Sequence, residues 1–304
     1  MSILSVFARY GYVPVMLIGA NGLALYLVGS GAPLFLVGAV ALLALGLTFL
    51  MERVLPYENA WNRSHDDTGK DAAHGLVYEL SNLGGVVLMS TTAALDPWDG
   101  IWPHHWPLWC QFVGAVAVAD FTLTIHHYMS HRVSWFWTLH SVHHGVNRLY
   151  GFNGLVRHPL HQQIDLMIGM APLVLAGMPV NIAVLLGLAI TVQLFLQHAN
   201  VDCRLGPFQQ LLAIGPAHRL HHVNWAGEGD VNFGMFFTIW DRVLGTLRLT
   251  SDRAPVAGDI GVEHEPNFPQ RYFAQLALPF IGTPSAATAR SERPGRLAAV
   301  PAGQ

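Results

Sequence analysis

The chain has 304 residues, 52% of them hydrophobic and only 12% charged, with a mean hydropathy of +0.36. Soluble proteins carry about 25% charged residues, so this is the composition of a membrane protein, in one large unit. A formal net charge of −3 argues against a nucleic-acid partner, which needs a Lys/Arg surplus, and two cysteines without CxxC spacing argue against a disulfide framework or a thiolate zinc site.

In chain order, residues 11–29 and 33–51 are apolar runs of about 19 residues, enough to cross ~30 Å of hydrocarbon. The small residues Gly29-Ser30-Gly31-Ala32 would also suit a signal-peptide cleavage site, but the second run follows at once and favours an uncleaved helical hairpin. Residues 52–71 form a polar loop. Residues 75–95, apolar except for Glu79 and Asn82, are read as a third span. Residues 96–107 hold three tryptophans and no Lys or Arg, the composition of an interfacial loop. A fourth span, 108–125, runs straight into a histidine cluster. The shorter runs 164–177 and 182–196 make a hairpin that enters the bilayer or spans it marginally. From about residue 282 the chain lacks periodicity and reads as a disordered tail.

This division puts all sixteen Lys and Arg on one side of the membrane, with none in the loops at 29–33, 96–107 and 177–181. The positive-inside rule makes that side cytoplasmic. The same side receives three histidine clusters: His127 and His131; His140, His143 and His144; His218, His221 and His222. Spacings of three and four place imidazoles one turn apart on a helix, where two can share an ion. The extra neighbour in HxxHH can serve a second ion. Imidazole suits Fe, Zn, Cu and Ni and excludes Ca and Mg, and so many ligands fit two metals better than one.

The succession HxxxH, HxxHH, HxxHH resembles the fatty acid hydroxylase/sterol desaturase superfamily of membrane enzymes. So do Gln197-His198-Ala199-Asn200, Asn232-Phe233-Gly234 and Trp240-Asp241-Arg242-Val243-Leu244-Gly245-Thr246. The resemblance covers about residues 75–250. It implies an all-α, multi-pass membrane helical bundle whose cytoplasmic histidine-rich cap holds a dimetal site. Residues 1–74 are then an N-terminal transmembrane hairpin and loop, 75–250 the catalytic domain, and 251–304 a C-terminal segment with the tail. The implied metal ligands are His127, His131, His140, His143, His144, His218, His221 and His222, with His198 as a ninth.

His158 and His161 lie in a stretch where the superfamily often has an acid in place of His161, and stand as additional ligands, as partners of ligands, or as neither. Asp120, seven residues before His127 on the same helical face, is the leading candidate to receive a ligand's other N–H; Glu79, Asn82, Asp202 and Asp241 are weaker ones. His126 is read as structural, His104 and His105 as lying on the opposite membrane face, His65 and His264 as solvated, and His74 as interfacial.

The implied cofactors are two Fe ions, with O2 as co-substrate. The sequence has no haem, flavin or GxGxxG motif, so electrons come from an external donor, a separate cytoplasmic electron-transfer protein. The implied reaction is C–H hydroxylation of a fatty acyl, sterol or related lipid, with desaturation at the same site as the alternative. A metal transporter or sensor is a remote one, since it would place ionisable residues in mid-span. The expected location is the bacterial inner membrane, with the metal site facing the cytoplasm.

Overall fold

The computed structural model describes residues 2–95, 100–225, 227–263, 265 and 267–281; the expected tail and His264 lie outside them. The described residues are helical, with isolated β-bridges and no strand. We number the helices α1 (Ile3–Gly29), α2 (Phe35–Val54), α3 (Thr68–Leu95), α4 (Leu108–Arg132), α5 (Ser134–His144), α6 (Pro159–Leu175), α7 (Val180–His198), α8 (Gly215–His221), α9 (Ile239–Leu244) and α10 (Tyr272–Ile281). Pro14 interrupts the hydrogen-bond ladder of α1, and π-helical turns flank it.

Among the described residues, four helices are long and apolar enough by length and composition to cross a membrane: α1, α2, α4 and α7. The expected third span, residues 75–95, lies within the 28-residue α3, whose Leu76, Leu80 and Leu83 are exposed while Tyr78, Ser81 and Asn82 line a cavity. One expectation changes. The second arm of the expected marginal hairpin is instead the 19-residue α7, the most enclosed of the four spans, with 72% of its window buried.

α7 is the axis of the bundle. α1, α2, α3 and α4 pack on it, as does the short 3-10 turn Gly151–Leu155. That turn lies close because Gly154 has no side chain: a Cβ there would come within 2.7 Å of the Leu194 carbonyl oxygen. At the charged end, buried polar groups tie the loops to the helices. Glu52 accepts hydrogen bonds from the backbone N–H groups of Gly151 (2.6 Å) and Asn200 (3.0 Å). The Asn200 amide donates to the Glu58 carbonyl and to Asn62.

Arg148 grips Asp67 through Nε (2.6 Å) and a second nitrogen (2.8 Å), both side chains buried, and also donates to the Trp61 carbonyl. Burial pushes the Asp67 carboxyl up, but the Arg148 hydrogen bonds and charge outweigh it and hold the group below its ordinary value. A lowered folded value means the stabilisation is complete above the unfolded pKa of about 4 and is lost as pH falls through the folded one. Arg148→Ala leaves Asp67 buried and unpaired, at a cost of about 3–5 kcal/mol near neutral pH. Thermal unfolding in detergent is expected to show the gap between wild type and variant closing below about pH 4. A gap that stays constant through the acid range would show that the pair does not contribute in this way.

Candidate metal centre

The nine histidines that the sequence singles out come together in two groups. His127, His131, His140, His144 and His221 form one, and His143, His198, His218 and His222 the other; within each, one ligand atom per residue lies within 4.8 Å of the rest. Every i,i+4 pair stays in one group: His127 with His131, His140 with His144, His218 with His222. The middle member of each HxxHH crosses over, His143 to the second group and His221 to the first. The groups are adjacent, with the His144 and His222 rings stacked 4.5 Å apart between centroids.

For four of the rings, hydrogen bonds fix which nitrogen is offered. A carbonyl oxygen can only accept, so a ring nitrogen facing one carries the proton. Nδ1 of His127 donates to the Phe233 carbonyl (2.9 Å) and Nδ1 of His221 to that of Val231 (2.7 Å). Their Nε2 atoms, left as lone pairs, face each other at 2.9 Å. His143 donates through Nδ1 to Val156 (3.0 Å) and His198 to Leu194 (2.9 Å), and their Nε2 atoms meet at 3.2 Å. Nε2 of His198 is also 3.2 Å from those of His218 and His222.

Two lone pairs at such distances repel unless a cation lies between them. Imidazole nitrogens bound about 2.0–2.1 Å from one tetrahedral ion would stand roughly 3.3 Å apart. The donor set therefore fits metal ions, one per group. Burial keeps the rings neutral and able to ligate: it pushes His140, His143, His144, His218 and His222 well below the ordinary imidazole value, and His221 down to about 4.

The flanking motif supplies the carbonyls. Asp241, fully buried, accepts from the backbone N–H groups of Phe233 (2.7 Å) and Gly234 (2.9 Å) and from the Thr246 hydroxyl (2.7 Å). Gly245 ends α9 in the left-handed region at φ 70°, which favours glycine. Asn232, itself at φ 56°, donates to the Ala217 and Arg248 carbonyls. Gln197 donates to the Gly234 and Met235 carbonyls. This stretch acts as a brace that aims Val231 and Phe233 at His221 and His127.

Several expectations need correction. Asp120 accepts from the N–H groups of Phe236 (2.6 Å) and Phe237 (3.2 Å) and from the Trp240 indole (2.9 Å), so it holds the same brace rather than an imidazole. His158 caps α6, with Nδ1 accepting from the Leu160 N–H and Nε2 facing the Leu276 carbonyl, and belongs to neither group. His74 is fully buried, with its nitrogens on the Arg157 carbonyl and Gln275, and ties α3 to α10. Of the weaker candidates, Asn82 receives the Gln162 amide and Asp202 pairs with Arg9. His65, His104 and His105 are exposed, and α4 separates His104 and His105 from the clusters by about 28 Å.

His161 lies beside the first group, its ring 4.8 Å from that of His140, but gathers with His126 and Asp165. Asp165 takes Nδ1 of His126 at 2.6 Å, lies 3.2 Å from Nδ1 of His161 and pairs with Arg157. With the Arg157 cation already on this carboxylate, the trio is better suited to orienting rings than to holding a third ion. Asp165 and Asp230, which lies 3.2 Å from Nδ1 of His131, are carboxylate partners that the sequence analysis missed. For Asp165 a signal existed: an acid four residues after a histidine in an otherwise apolar helix.

A cavity of about 660 Å³ opens beside both groups. His127, His140, His143 and His218 line one end, with Gln197 and Arg157, while Leu123, Met170, Val174, Ala183, Gly187 and Ile190 line the remainder. That volume is within the ordinary range for ligand sites.

Residues 112–246 match the family model for fatty acid hydroxylase. The chain is 32% identical to an ornithine lipid hydroxylase of Rhizobium tropici over 254 residues, 79% of this chain and 74% of the relative. The chain belongs to the fatty acid hydroxylase/sterol desaturase superfamily. It is similar as well to the alkylglycerol monooxygenase of Danio rerio, 30% identical over 52% of this chain but only 33% of that protein. A sphinganine C4-monooxygenase of Arabidopsis thaliana is 29% identical over 45% of this chain and 53% of its own length. No solved structure matches. These superfamily relatives are hydroxylases and monooxygenases, and the chain is a membrane oxidoreductase of their kind.

Proposed function

We propose that this superfamily member is an O2-dependent di-iron hydroxylase of a membrane lipid. The observation that carries the proposal is the pair of histidine groups whose facing lone pairs open onto a largely apolar cavity. His127, His131, His140, His144 and His221 would hold one ion, and His143, His198, His218 and His222 the other. Iron bound there supplies the O2 chemistry that attack on an unactivated C–H bond needs and that no side chain provides.

The chain's own part is position and exclusion of water. The carbonyls of Val156, Leu194, Val231 and Phe233 hold four rings with Nε2 presented. Leu123, Met170 and Ile190 surround the chain of the lipid and keep water from the reacting carbon. The gathering of all sixteen Lys and Arg on one side supports a cytoplasmic site, reached by a separate electron-transfer protein, in a bacterial inner membrane. The catalytic unit runs over about residues 75–250. The similarity to the R. tropici enzyme makes ornithine lipid the first substrate to assay.

The test is iron content per chain of detergent-purified protein, with product analysis by mass spectrometry after supplying O2, a reductant and bacterial lipids. Two irons and an added oxygen are expected. Loss of two hydrogens instead would make the enzyme a desaturase, and the absence of stoichiometric metal would overturn the proposal.

A further inference from the structure

α7 is a buried helix with one exception. Of its nineteen residues only Gly187 is exposed, although Leu185, Leu186, Leu188 and Ala189 around it are buried. The exposure is to the cavity: Ala183, Gly187, Ile190 and Gln197, at spacings of three, four and seven, lie on one stripe of the helix and line it.

A glycine in mid-helix destabilises relative to alanine, so its presence calls for a reason. The usual two do not apply. Gly187 is not at positive φ, and a Cβ there would meet nothing within 4 Å, unlike Gly154, which a neighbouring backbone approaches closely. What the missing side chain leaves is open space. Ten residues separate Gly187 from Gln197 at the histidine end, about 15 Å along the helix. One leaflet of hydrocarbon, half of the ~30 Å core, is about as deep. A chain of membrane-lipid length with its oxidised carbon at the metals would therefore end against Gly187. The cavity also reaches the surface between α3 and α6, where Leu88 and Met167 are 65% and 69% exposed, so a chain could enter sideways from the bilayer.

We infer that Gly187 is a specificity-determining residue, whose lack of a side chain admits the far end of a long hydrocarbon chain. This rests on the lipid-hydroxylase reading, and its test reads binding rather than turnover. Purified protein is offered lauric, myristic, palmitic and stearic acids, and retention is measured by native mass spectrometry. Gly187→Leu is expected to lower the stearate-to-laurate retention ratio about tenfold or more, the scale of discrimination that a few methylenes give in an apolar pocket. Gly187→Ala, whose Cβ has free space, should fold as wild type and shift the ratio the same way by less; it carries the test should the leucine variant not fold. Gly114→Leu, on the exposed outer side of α4, should leave the ratio unchanged.

An unchanged ratio in the Gly187 variants, a uniform loss across all four acids, or wild-type protein that retains none of them would overturn the inference. Length-dependent retention without any hydroxylated product would leave the inference standing and reject the hydroxylase reading instead.

Discussion

Replacing His143 by alanine is expected to abolish lipid oxidation and remove one ion per chain, while the protein remains inserted in the membrane. His143 reaches the second group from a helix whose other two histidines serve the first. Its Nε2 stands 3.2 Å from that of His198, and its ring is fixed by the Val156 carbonyl. Without it, three imidazoles remain in the second group, where a closed site takes four ligands. The loss should exceed the ~10–100-fold that removal of an outer partner causes. Insertion should survive, since α5 is not one of the four apolar spans. His221→Ala makes the converse test, taking a ligand from the first group. His104→Ala, in the loop before α4, should change neither metal content nor rate. Normal turnover by His143→Ala would defeat the ligand assignment, and metal loss in His104→Ala would defeat the topology.

The second large effect is expected at Asp241, which touches no histidine. Asp241→Ala deprives two buried backbone N–H groups and the Thr246 hydroxyl of their acceptor. Each buried donor left unsatisfied costs about 1–3 kcal/mol, so the variant should lose roughly 3–5 kcal/mol of stability. The specific consequence lies one step further along the chain. The Phe233 N–H held by Asp241 and the Phe233 carbonyl that receives His127 belong to one residue, so releasing the first loosens the second. Iron affinity is expected to fall ~10–100-fold, as when an outer partner is lost. Asp241→Asn keeps one acceptor oxygen and should recover part of both losses. Iron titration of the folded variants separates the two effects. Unaltered affinity in a destabilised Asp241→Ala protein would mean that the brace stabilises the fold without aiming the ligands.

The remaining question is how much of this the chain announced. The histidine pairs were legible because their geometry is local: residues four apart on a helix face the same way whatever surrounds them, so His127 with His131 or His218 with His222 can be paired on paper. Membrane insertion was legible for a similar reason, since the length of an apolar run sets whether it can span. The two faces of α3 were not legible, because composition alone cannot distinguish the side of Tyr78, Ser81 and Asn82, which lines a cavity, from the exposed apolar side of Leu76, Leu80 and Leu83. The role of His74 in tying α3 to α10 was not legible because its partner, Gln275, lies 201 residues away.

The sequence by itself determined the apolar helices and which histidines share a helix face, because hydropathy and helix periodicity are properties of short stretches, and its motifs carried the resemblance to the hydroxylase superfamily. Only the tertiary structure decided how each HxxHH is divided between two groups, which carboxylates and carbonyls hold the rings, and where the cavity runs. Those depend on contacts such as His127 with Phe233, 106 residues apart, and Asp120 with Phe236, 116 apart. Such contacts form only when the packed helices bring distant backbone groups into the interior, where each must find a partner.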